Sequence, residues 1–207
     1  MPVDLAALID PSHTAVLTME LQNGVVGAES PLRELADAAA AANVVANAAK
    51  VVRAARGAGA RVVHCTFEAR ADRAGSMANA PFLRWLAKSE PHLLPGSNAA
   101  ALVLELGPEP SDVICMRRHG LTPFPGTDLD PTLRNLGVHT VVVTGMSVNV
   151  GILGMVVNAV DLGYEAVVVT DAVAGIPAAY AQAVVDNTLA ALATRATSDE
   201  IVAVWSP

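Results

Sequence analysis

The feature that most constrains the fold is a set of six short apolar runs spread along the chain. Each run is almost continuously apolar and does not alternate with polar residues, which is typical of strands covered on both faces. Longer patterns with helical periodicity separate the runs. The six predicted strands are Thr14–Met19, Arg61–Thr66, Asp112–Met116, Thr140–Thr144, Glu165–Thr170 and Ile201–Trp205.

Strand and helix patterns that alternate six times predict an α/β fold. We expect a doubly wound, six-stranded parallel sheet with helices on both faces, which is a Rossmann-like three-layer sandwich. One segment, Glu68–Gly107, has only a weak helical pattern, and we expect it to form a lid or an oligomer contact. The predicted helices lie in 31–59, 127–137, 149–163 and 177–194.

Composition narrows the choice of partners. The chain of 207 residues carries a net charge of -7, which argues against nucleic acid and against an anionic membrane surface, because both need a basic face. No run reaches the roughly 18 apolar residues of a membrane span, and the first residues do not resemble a secretion signal. With only two cysteines, a disulfide scaffold is not expected, and the prediction is a cytoplasmic protein.

Polar residues follow the predicted strands at their carboxyl ends, where doubly wound folds bind ligands. Glu20 follows the first strand with Gln22 beside it, and Arg117, Arg118 and His119 follow the third. We expect Glu20 to be an acid or base in a pocket, one of the two arginines to reach inward and pair with it, and Arg118 to lie in the pocket. The alternatives are a helix-capping or salt-bridged acid, two solvated cations and a structural histidine.

The turn after the fourth strand is the third part of the predicted site. Its sequence runs Met146, Ser147, Val148, Asn149, Val150 and then Gly151 at the start of a helix. Backbone N–H groups at a helix start bind anions or oxyanions, and a glycine there lets a ligand approach the backbone. The alternative is that Gly151 serves packing alone.

Other chemistry has weaker support in the sequence. Cys65 and Cys115 lie inside strands, where cysteines usually act as small hydrophobes, and Asp171 is expected to cap the following segment. No His, Cys and Asp cluster has metal-ligand spacing, and the glycines near the fourth strand are wrongly spaced for a dinucleotide. We therefore predict no metal and no cofactor.

Three stretches resemble the isochorismatase-like hydrolase superfamily over nearly the whole chain. "TAVLTMELQNGVV" is similar to its opening strand and D-M-Q-N-D motif. "RRHGLTPFPGTDLDPTLRNLGVHTVVVTGMSVNVGILG" and "NAVDLGYEAVVVTDAVAG" resemble its K-x-R-Y-S-A-F-x-G-T-D-L-D, T-G-V-x-T-x-x-C-V and G-Y-x-V-x-V-V-x-D-A patterns. The resemblance implies a single isochorismatase-like domain over 1–207, a hydrolase activity, and a homodimer or homotetramer.

The resemblance also implies where the catalytic positions fall. The family's Asp, Lys and nucleophilic Cys fall on Glu20, Arg118 and Gly151, with the Lys position counted back without a gap from F-x-G-T-D-L-D. True isochorismatases carry Gly at the Cys position, which implies a non-covalent reaction and room for the substrate. The zinc-binding Asp-x-His…His of nicotinamidases is missing. A non-proline cis peptide is implied at Met146–Ser147.

Three functions stay open at this point. The first is a cofactor-free hydrolase of a small, anionic or carbonyl-bearing metabolite, in which Glu20 is the general acid/base and Arg118 binds an anion or oxyanion. The residues Gln22, Arg117, His119 and 146–150 would then bind the substrate. The second is an inactive family member that binds a small ligand. The third places a nucleophile at Cys115 or Cys65.

Overall fold

The computed structural model describes residues 3–88 and 92–206. Its centre is a six-stranded sheet with the order β3-β2-β1-β4-β5-β6, in which every neighbouring pair is parallel. This confirms the predicted doubly wound sheet. The strands are β1 Thr14–Met19, β2 Arg61–Phe67, β3 Val113–Arg117, β4 Thr140–Met146, β5 Glu165–Ala174 and β6 Thr194–Ala196.

The sheet divides the core into two layers. Successive residues of β1 point to opposite faces, so Val16 packs on one side and Leu17 on the other. On the first side, helices α3, α4 and α10 cover the sheet, and on the second side α6, α7 and α8 cover it. These helices are α3 Arg33–Ala41, α4 Val44–Ala58, α6 Leu129–Asn135, α7 Leu153–Asp161, α8 Ala178–Ala183 and α10 Ser198–Trp205.

The remaining helices are short. A π-helical segment, Val148–Ile152, leads into α7, and a second, Val184–Leu189, follows α8. Short 3₁₀ turns occupy Pro11–His13 and Leu104–Leu106. The other short helices are α1 Leu5–Leu8, α2 Asn23–Val26, α5 Pro81–Lys88 and α9 Ala190–Leu192.

The predicted sixth strand is wrong: Ile201–Trp205 belongs to helix α10, and the sixth strand is the short Thr194–Ala196. A capping box starts the helix, because the Thr197 hydroxyl accepts the Glu200 N–H and the Glu200 carboxylate accepts the Thr197 N–H. Ile201 and Trp205 are one helical turn apart and share the buried face. An apolar run this short fits a helix and a strand equally well.

Asp171 stabilises the same helix from β5. Its carboxylate accepts hydrogen bonds from the Ser198 N–H and hydroxyl, each at 2.7 Å. Asp171 thus caps a helix, but the prediction that it caps the following segment is wrong, because the capped helix is α10. At the other end of α10, the Trp205 indole N–H donates to the Ile9 carbonyl at 2.8 Å, so the last helix is tied to the first residues of the fold.

The Ala-rich segment 31–59 forms two helices, where the sequence predicts one helical region. The break falls at Asn43, which takes a left-handed conformation with φ 53°, and α4 ends at Gly59 as expected. No single helix among the described residues is long and apolar enough to cross a membrane. Helices α3 and α4 together meet that length and composition, but they bend by 60° at the break.

The segment Glu68–Gly107 is more ordered than its weak pattern suggests. It contains α5 and the turn Leu104–Leu106, and Ser89–Pro91 within it lie outside the described residues. An antiparallel bridge between Gln22 and Leu102 ties its end to the loop after β1. The described parts of the segment therefore lie against the carboxyl end of the sheet and line a cavity there. The lid or oligomer contact expected for this segment stays a prediction.

Candidate active site

A cavity of about 460 Å³ lies at the carboxyl ends of β1 to β4. This is where doubly wound folds bind ligands. The polar side chains that line it come from four loops, and its walls are largely apolar. The titratable lining residues are Glu20, Arg73, His92, Arg117, Arg118 and His119.

Glu20 begins the loop after β1 in an unusual backbone conformation. Its φ is 53°, in the left-handed region that non-glycine residues seldom occupy, and its N–H donates to the Cys65 carbonyl at 2.9 Å. Its side chain is 16% exposed and lines the cavity. Residues held in this conformation concentrate at functional sites, so the backbone supports the prediction made from strand-end position.

The partner of Glu20 is Arg117, the last residue of β3. Its Nη2 donates to the Glu20 carboxylate, and the Arg117 side chain is only 4% exposed. The guanidinium carbon lies 5.3 Å from the centre of the Phe67 ring. Within the described part of the chain, Arg117 Nε and Nη1 are buried without a hydrogen-bond partner. The pair is therefore buried but incompletely satisfied.

Of the two arginines, Arg118 is the one that does not pair with Glu20. Arg118 Nη2 lies 3.7 Å from the Glu68 carboxylate, and the Arg118 side chain is 46% exposed. Neighbouring residues of an extended chain point to opposite sides, so only one of two adjacent arginines can reach Glu20. Counting back along the family motif without a gap therefore points to Arg118, whereas its neighbour Arg117 contacts Glu20. Arg118 still lines the cavity.

Some residues of the turn after β4 line the cavity, and others are buried in the apolar core. Ser147, Asn149, Val150 and Gly151 line the cavity. Met146 and Val148 are 0% and 1% exposed, and each packs into one of the two apolar core layers. Residues two apart on a regular strand share one face, but Ser147 has φ 62° and turns the chain between these two, so their side chains enter opposite layers and neither lines the cavity. Substrate contact by these two side chains is therefore a prediction that the geometry does not support.

The backbone of this turn also differs from the expectation. The Met146–Ser147 peptide is trans, and among the described residues the cis bond is Ile176–Pro177. Ser147 takes φ 62° instead, which turns the chain sharply before the π-helical segment. The Val150 N–H donates to the Ser147 carbonyl at 3.0 Å. Asn149 Nδ2 donates to the Ile176 carbonyl at 3.2 Å, which joins this turn to the loop after β5.

The prediction that Gln22 binds substrate is not supported by its position, because Gln22 is not among the described residues that line the cavity. It is fully buried, and its amide nitrogen donates to the Phe67 and Ala100 carbonyls at 2.9 and 2.7 Å. Its amide oxygen accepts the Phe67 N–H at 2.9 Å. The amide thus clamps the end of β2 to the segment that covers the cavity. His119, in contrast, lines the cavity as expected.

The apolar wall of the cavity is the part that the sequence analysis missed. It comes from α5, whose hydrophobic residues recur at helical spacing in "PFLRWLAK", and from α3, the end of β2 and several loops at the carboxyl edge of the sheet. Phe82 and Trp85 of α5 stack with their ring centres 5.9 Å apart. The amphipathic pattern of this helix was the available signal. The wall includes Leu32, Leu35, Phe67, Met77, Phe82, Leu83, Leu86, Leu93, Leu121 and Ile176.

The two cysteines lie beneath the site and not in it. Cys65 and Cys115 are paired in register on β2 and β3, and neither is among the described residues that line the cavity. A hydrogen bond with Cys115, together with burial, raises the pKa of Cys65 well above its usual value. The same contact from Cys65, with Thr127, lowers the pKa of Cys115 to about 7. Both thiols are nonetheless buried.

Among the described residues that line the cavity, arginines outnumber carboxylates, although the whole chain has a net charge of -7. The arginines are Arg73, Arg117 and Arg118 and the carboxylate is Glu20, while Glu68, outside this lining, lies 3.7 Å from Arg118. Among residues 3–88 and 92–206, no group of three or more His, Cys, Asp or Glu side chains could hold a metal ion. The arrangement offers a proton-transfer carboxylate in a locally cationic, mostly apolar cavity.

Comparison with known proteins agrees with this architecture. Residues 14–200 match the model of the isochorismatase domain. The chain is 30% identical over 175 residues to ureidoacrylate amidohydrolase RutB of Pantoea ananatis, which covers 78% of the chain and 69% of that protein. It is also 30% identical over 166 residues to the isochorismatase family protein YwoC of Bacillus subtilis, covering 79% of each.

Solved structures give the same result. An isochorismatase family protein from Burkholderia thailandensis superposes with a TM-score of 0.77 at 28% identity. The match covers 94% of this chain and 96% of that one. Since the family match spans most of the chain and the parallel sheet is shared, the chain belongs to the isochorismatase family of hydrolases.

Proposed function

We propose that the protein is a cofactor-free hydrolase that acts on a small organic anion without a cysteine nucleophile. The observation that carries the proposal is the buried Glu20–Arg117 pair at the floor of a cavity with an excess of arginine. Glu20 is the general acid/base. Arg117 holds its carboxylate in place, and Arg118, which is half exposed, attracts the anionic group of the substrate.

The absence of a thiol at the helix start supports a non-covalent route. Residue 151 is glycine, so it offers no side chain to form an acyl-enzyme. Glu20 can act in two ways: as a base it takes a proton from water that attacks a carbonyl, and as an acid it protonates a vinyl ether carbon so that water adds to the resulting cation. Ser147, Asn149 and Val150 line the place where the reacting group would lie.

The relatives support an anionic substrate. RutB of Pantoea ananatis is named for ureidoacrylate, which carries a ureido group and a carboxylate. A carboxylate of this kind is opposite in charge to Arg118, which is half exposed, and to Arg117, which has two nitrogens without a partner in the described chain. The apolar wall from α5 matches a compact hydrocarbon part. Amides and vinyl ethers that bear a carboxylate are therefore the first compounds to test.

The test of the proposed mechanism is Glu20→Gln, assayed on isochorismate and on a panel of anionic amides, lactones and vinyl ethers. Glutamine keeps the shape and one acceptor oxygen but cannot exchange a proton, so we expect kcat to fall about 10²–10⁴-fold. Circular dichroism and the urea midpoint serve as the control for folding. Turnover at the wild-type rate in this variant would remove Glu20 from the mechanism.

The second candidate is an inactive family member that binds a small ligand. It is favoured by the change of all three expected catalytic residue types, to Glu20, Arg117 or Arg118, and Gly151. It predicts that members of the same panel bind, by calorimetry, while none is converted. Clear turnover of any member by the wild-type protein excludes this candidate.

The third candidate is a nucleophile at Cys115, whose pKa is lowered to about 7 by the contact with Cys65. Burial works against it, because a thiolate must reach its substrate to react. We expect native protein to be alkylated by iodoacetamide at pH 7.5 far more slowly than urea-unfolded protein. Rapid labelling of native Cys115, with loss of turnover, would revive this candidate.

We also propose that the protein assembles as a homodimer or homotetramer. Large apolar side chains are exposed on the described surface, among them Phe82, Leu104 and Ile114, and Ile114 lies on the edge strand β3. Contact with a second copy would cover such positions. Light scattering coupled to size-exclusion chromatography measures the mass directly, and a monomer at micromolar concentration contradicts this expectation.

A further inference from the structure

Met19 occupies the space beside Gly151 that a side chain at position 151 would need. A β-carbon built on Gly151 would lie 2.9 Å from the Met19 Cε, 3.3 Å from the Met146 carbonyl oxygen and 3.5 Å from the Ser147 Cβ. Contacts below 3.0 Å force a neighbour to move. Met19 is 1% exposed, yet it lines the floor of the cavity next to Glu20.

The backbone of Met19 is held firmly, so only its thioether end can respond. Met19 pairs in register with Cys65 on one side and with Gly145 on the other. Gly145 has φ 121°, and a β-carbon there would come within 2.2 Å of the Met19 carbonyl oxygen. The two central strands are therefore in close contact at this point. The side-chain terminus of Met19 is left to fill the gap above Gly151.

We propose that Met19 is a specificity-determining residue, which closes the cavity floor beside Glu20. The space that a side chain at position 151 would need is then filled by the end of Met19. The expectation from the sequence is different, namely that this space receives the substrate. The proposal rests on the proposed function in one respect only, which is that the lining arginines Arg117 and Arg118 hold the anionic end of the substrate near the cavity floor.

The consequence is a limit on substituents close to the anionic group. A substrate branched at the carbon next to its carboxylate would direct the branch toward the floor, where the Met19 methyl already lies. Met19→Val removes the sulfur and the terminal methyl, while its β-branched side chain suits a strand. The variant opens a depression between Glu20 and Gly151, into which such a branch fits.

The first test needs no ligand. The effect of Gly151→Ala on the folding equilibrium constant is measured by urea unfolding in wild type and in Met19→Val. We expect Gly151→Ala to be about tenfold more unfavourable in wild type, because residues in contact are coupled. Leu133→Ala, in an equally buried residue of the same core layer outside the cavity, is the control background and should leave the effect unchanged. Equal effects in wild type and Met19→Val would overturn the proposal.

The second test measures specificity by calorimetric titration of phenylacetate, 2-phenylpropanoate and 2-phenylbutanoate. We expect wild type to bind the branched acids more weakly than phenylacetate. In Met19→Val the ratio should improve by about fourfold for each added carbon, the value of one buried methylene. An unchanged ratio overturns the specificity role.

Binding and turnover are separate readouts in this design. The titration gives its result even if the protein converts nothing, so an inactive protein does not obscure it. If wild type binds none of the three acids, the anion-binding role proposed for the cavity is wrong. The urea cycle alone then decides whether Met19 fills the space above Gly151.

Discussion

Two buried arginine–carboxylate pairs lie at opposite ends of the same strand, and they differ in how completely their polar atoms are hydrogen-bonded. Asp112 comes directly before β3 and pairs with Arg56, while Arg117 ends β3 and pairs with Glu20. Arg56 Nε and Nη2 donate to the two carboxylate oxygens of Asp112 at 3.1 and 2.6 Å, and Nη1 donates to the Leu106 carbonyl. This is a two-pronged pair with each nitrogen in use.

The Asp112 carboxylate is also fully engaged. It accepts the Glu109 N–H at 2.8 Å and lies 3.2 Å from His64 Nε2. The His64 Nδ1 in turn lies 2.8 Å from the Thr18 hydroxyl in the middle of the sheet. The network contains a hydroxyl, an imidazole and a carboxylate in sequence, but His64 and Thr18 are fully buried and neither lines the cavity among the described residues. It is a structural network.

In the Arg117–Glu20 pair, by contrast, some of the hydrogen-bond donors have no acceptor within the described chain. One guanidinium nitrogen contacts the carboxylate, two have no partner within the described chain, and Glu20 has a strained backbone. Buried donors without partners are uncommon in folded proteins and point to an unfilled role. The comparison teaches that hydrogen-bond completeness separates a pair that stabilises the fold from one that is available to a ligand.

The sharpest test replaces each pair by neutral residues. Arg56→Met with Asp112→Leu leaves the His64 and Glu109 donors without an acceptor, and we expect the free energy of unfolding to fall by about 2–5 kcal/mol. Arg117→Met with Glu20→Gln should change it by no more than about 1 kcal/mol, because a pair with unsatisfied donors stabilises little. Urea unfolding at pH 7.5 measures both. Equal losses for the two double variants would contradict the distinction.

As pH falls, we expect the network around Asp112 to lose stability first at His64, before the Asp112 carboxylate is affected. Burial, opposed by the hydrogen bond to Asp112, lowers the pKa of His64, so the folded protein keeps the ring neutral. Unfolded chains take up a proton at this residue below about pH 6.5, so stability falls as pH drops from 7 to 5. The slope for one such group is at most about 1.4 kcal/mol per pH unit.

The matched control for this pH dependence is His64→Asn. It removes the titrating ring, so the loss of stability between pH 7 and 5 should become shallower, although the variant is less stable throughout. Asp112 acts lower on the pH scale: burial would raise its pKa, but hydrogen bonds from Arg56 and the Glu109 N–H outweigh it and lower the pKa. Its contribution is lost only as pH falls through the usual carboxylate range. A slope in His64→Asn identical to wild type would assign the effect elsewhere.

The smallest effect is expected at an exposed pair with good geometry. Lys50 Nζ lies 2.7 Å from an Asp199 oxygen, but the two side chains are 42% and 82% exposed. Water screens such a pair, so Lys50→Met should change the free energy of unfolding by no more than about 0.5 kcal/mol. Thermal unfolding at low and at high salt provides the measurement. A loss of several kcal/mol would show that distance, and not burial, decides the strength of these pairs.

Most of the fold could be predicted because buried parallel strands leave a clear apolar signature. Five of the six predicted strands begin at or within one residue of an observed strand. The sixth was misplaced because β6 has three residues and no apolar run, while the adjacent apolar run has a capped helix start. Local hydrogen bonds from Thr197 and Glu200 decide between the two, and hydrophobicity alone does not show them.

The parts of the candidate site that can be predicted from sequence are those whose position depends on strand order alone. Glu20 follows from its position after the central strand, since parallel strands bring their carboxyl ends together. The choice between Arg117 and Arg118 depends on a register that changes face with a single residue. The core positions of Met146 and Val148, and the apolar wall from α5, depend on contacts between distant segments. One sequence without tertiary contacts cannot supply them.

The hydrogen bond between the Trp205 indole and the Ile9 carbonyl keeps Trp205 in the folded core, whereas Trp85 lies near the cavity. The fluorescence of the two tryptophans therefore reports on two different events, global unfolding and ligand binding. Trp205 is 6% exposed and locks the last helix onto the start of the chain, so its emission should be blue-shifted until global unfolding. Trp85 is 45% exposed and stacks on Phe82, which lines the cavity, so its emission should follow ligand entry. A Trp85→Phe variant thus isolates a fluorescent signal for folding, and its difference from wild type isolates one for occupancy.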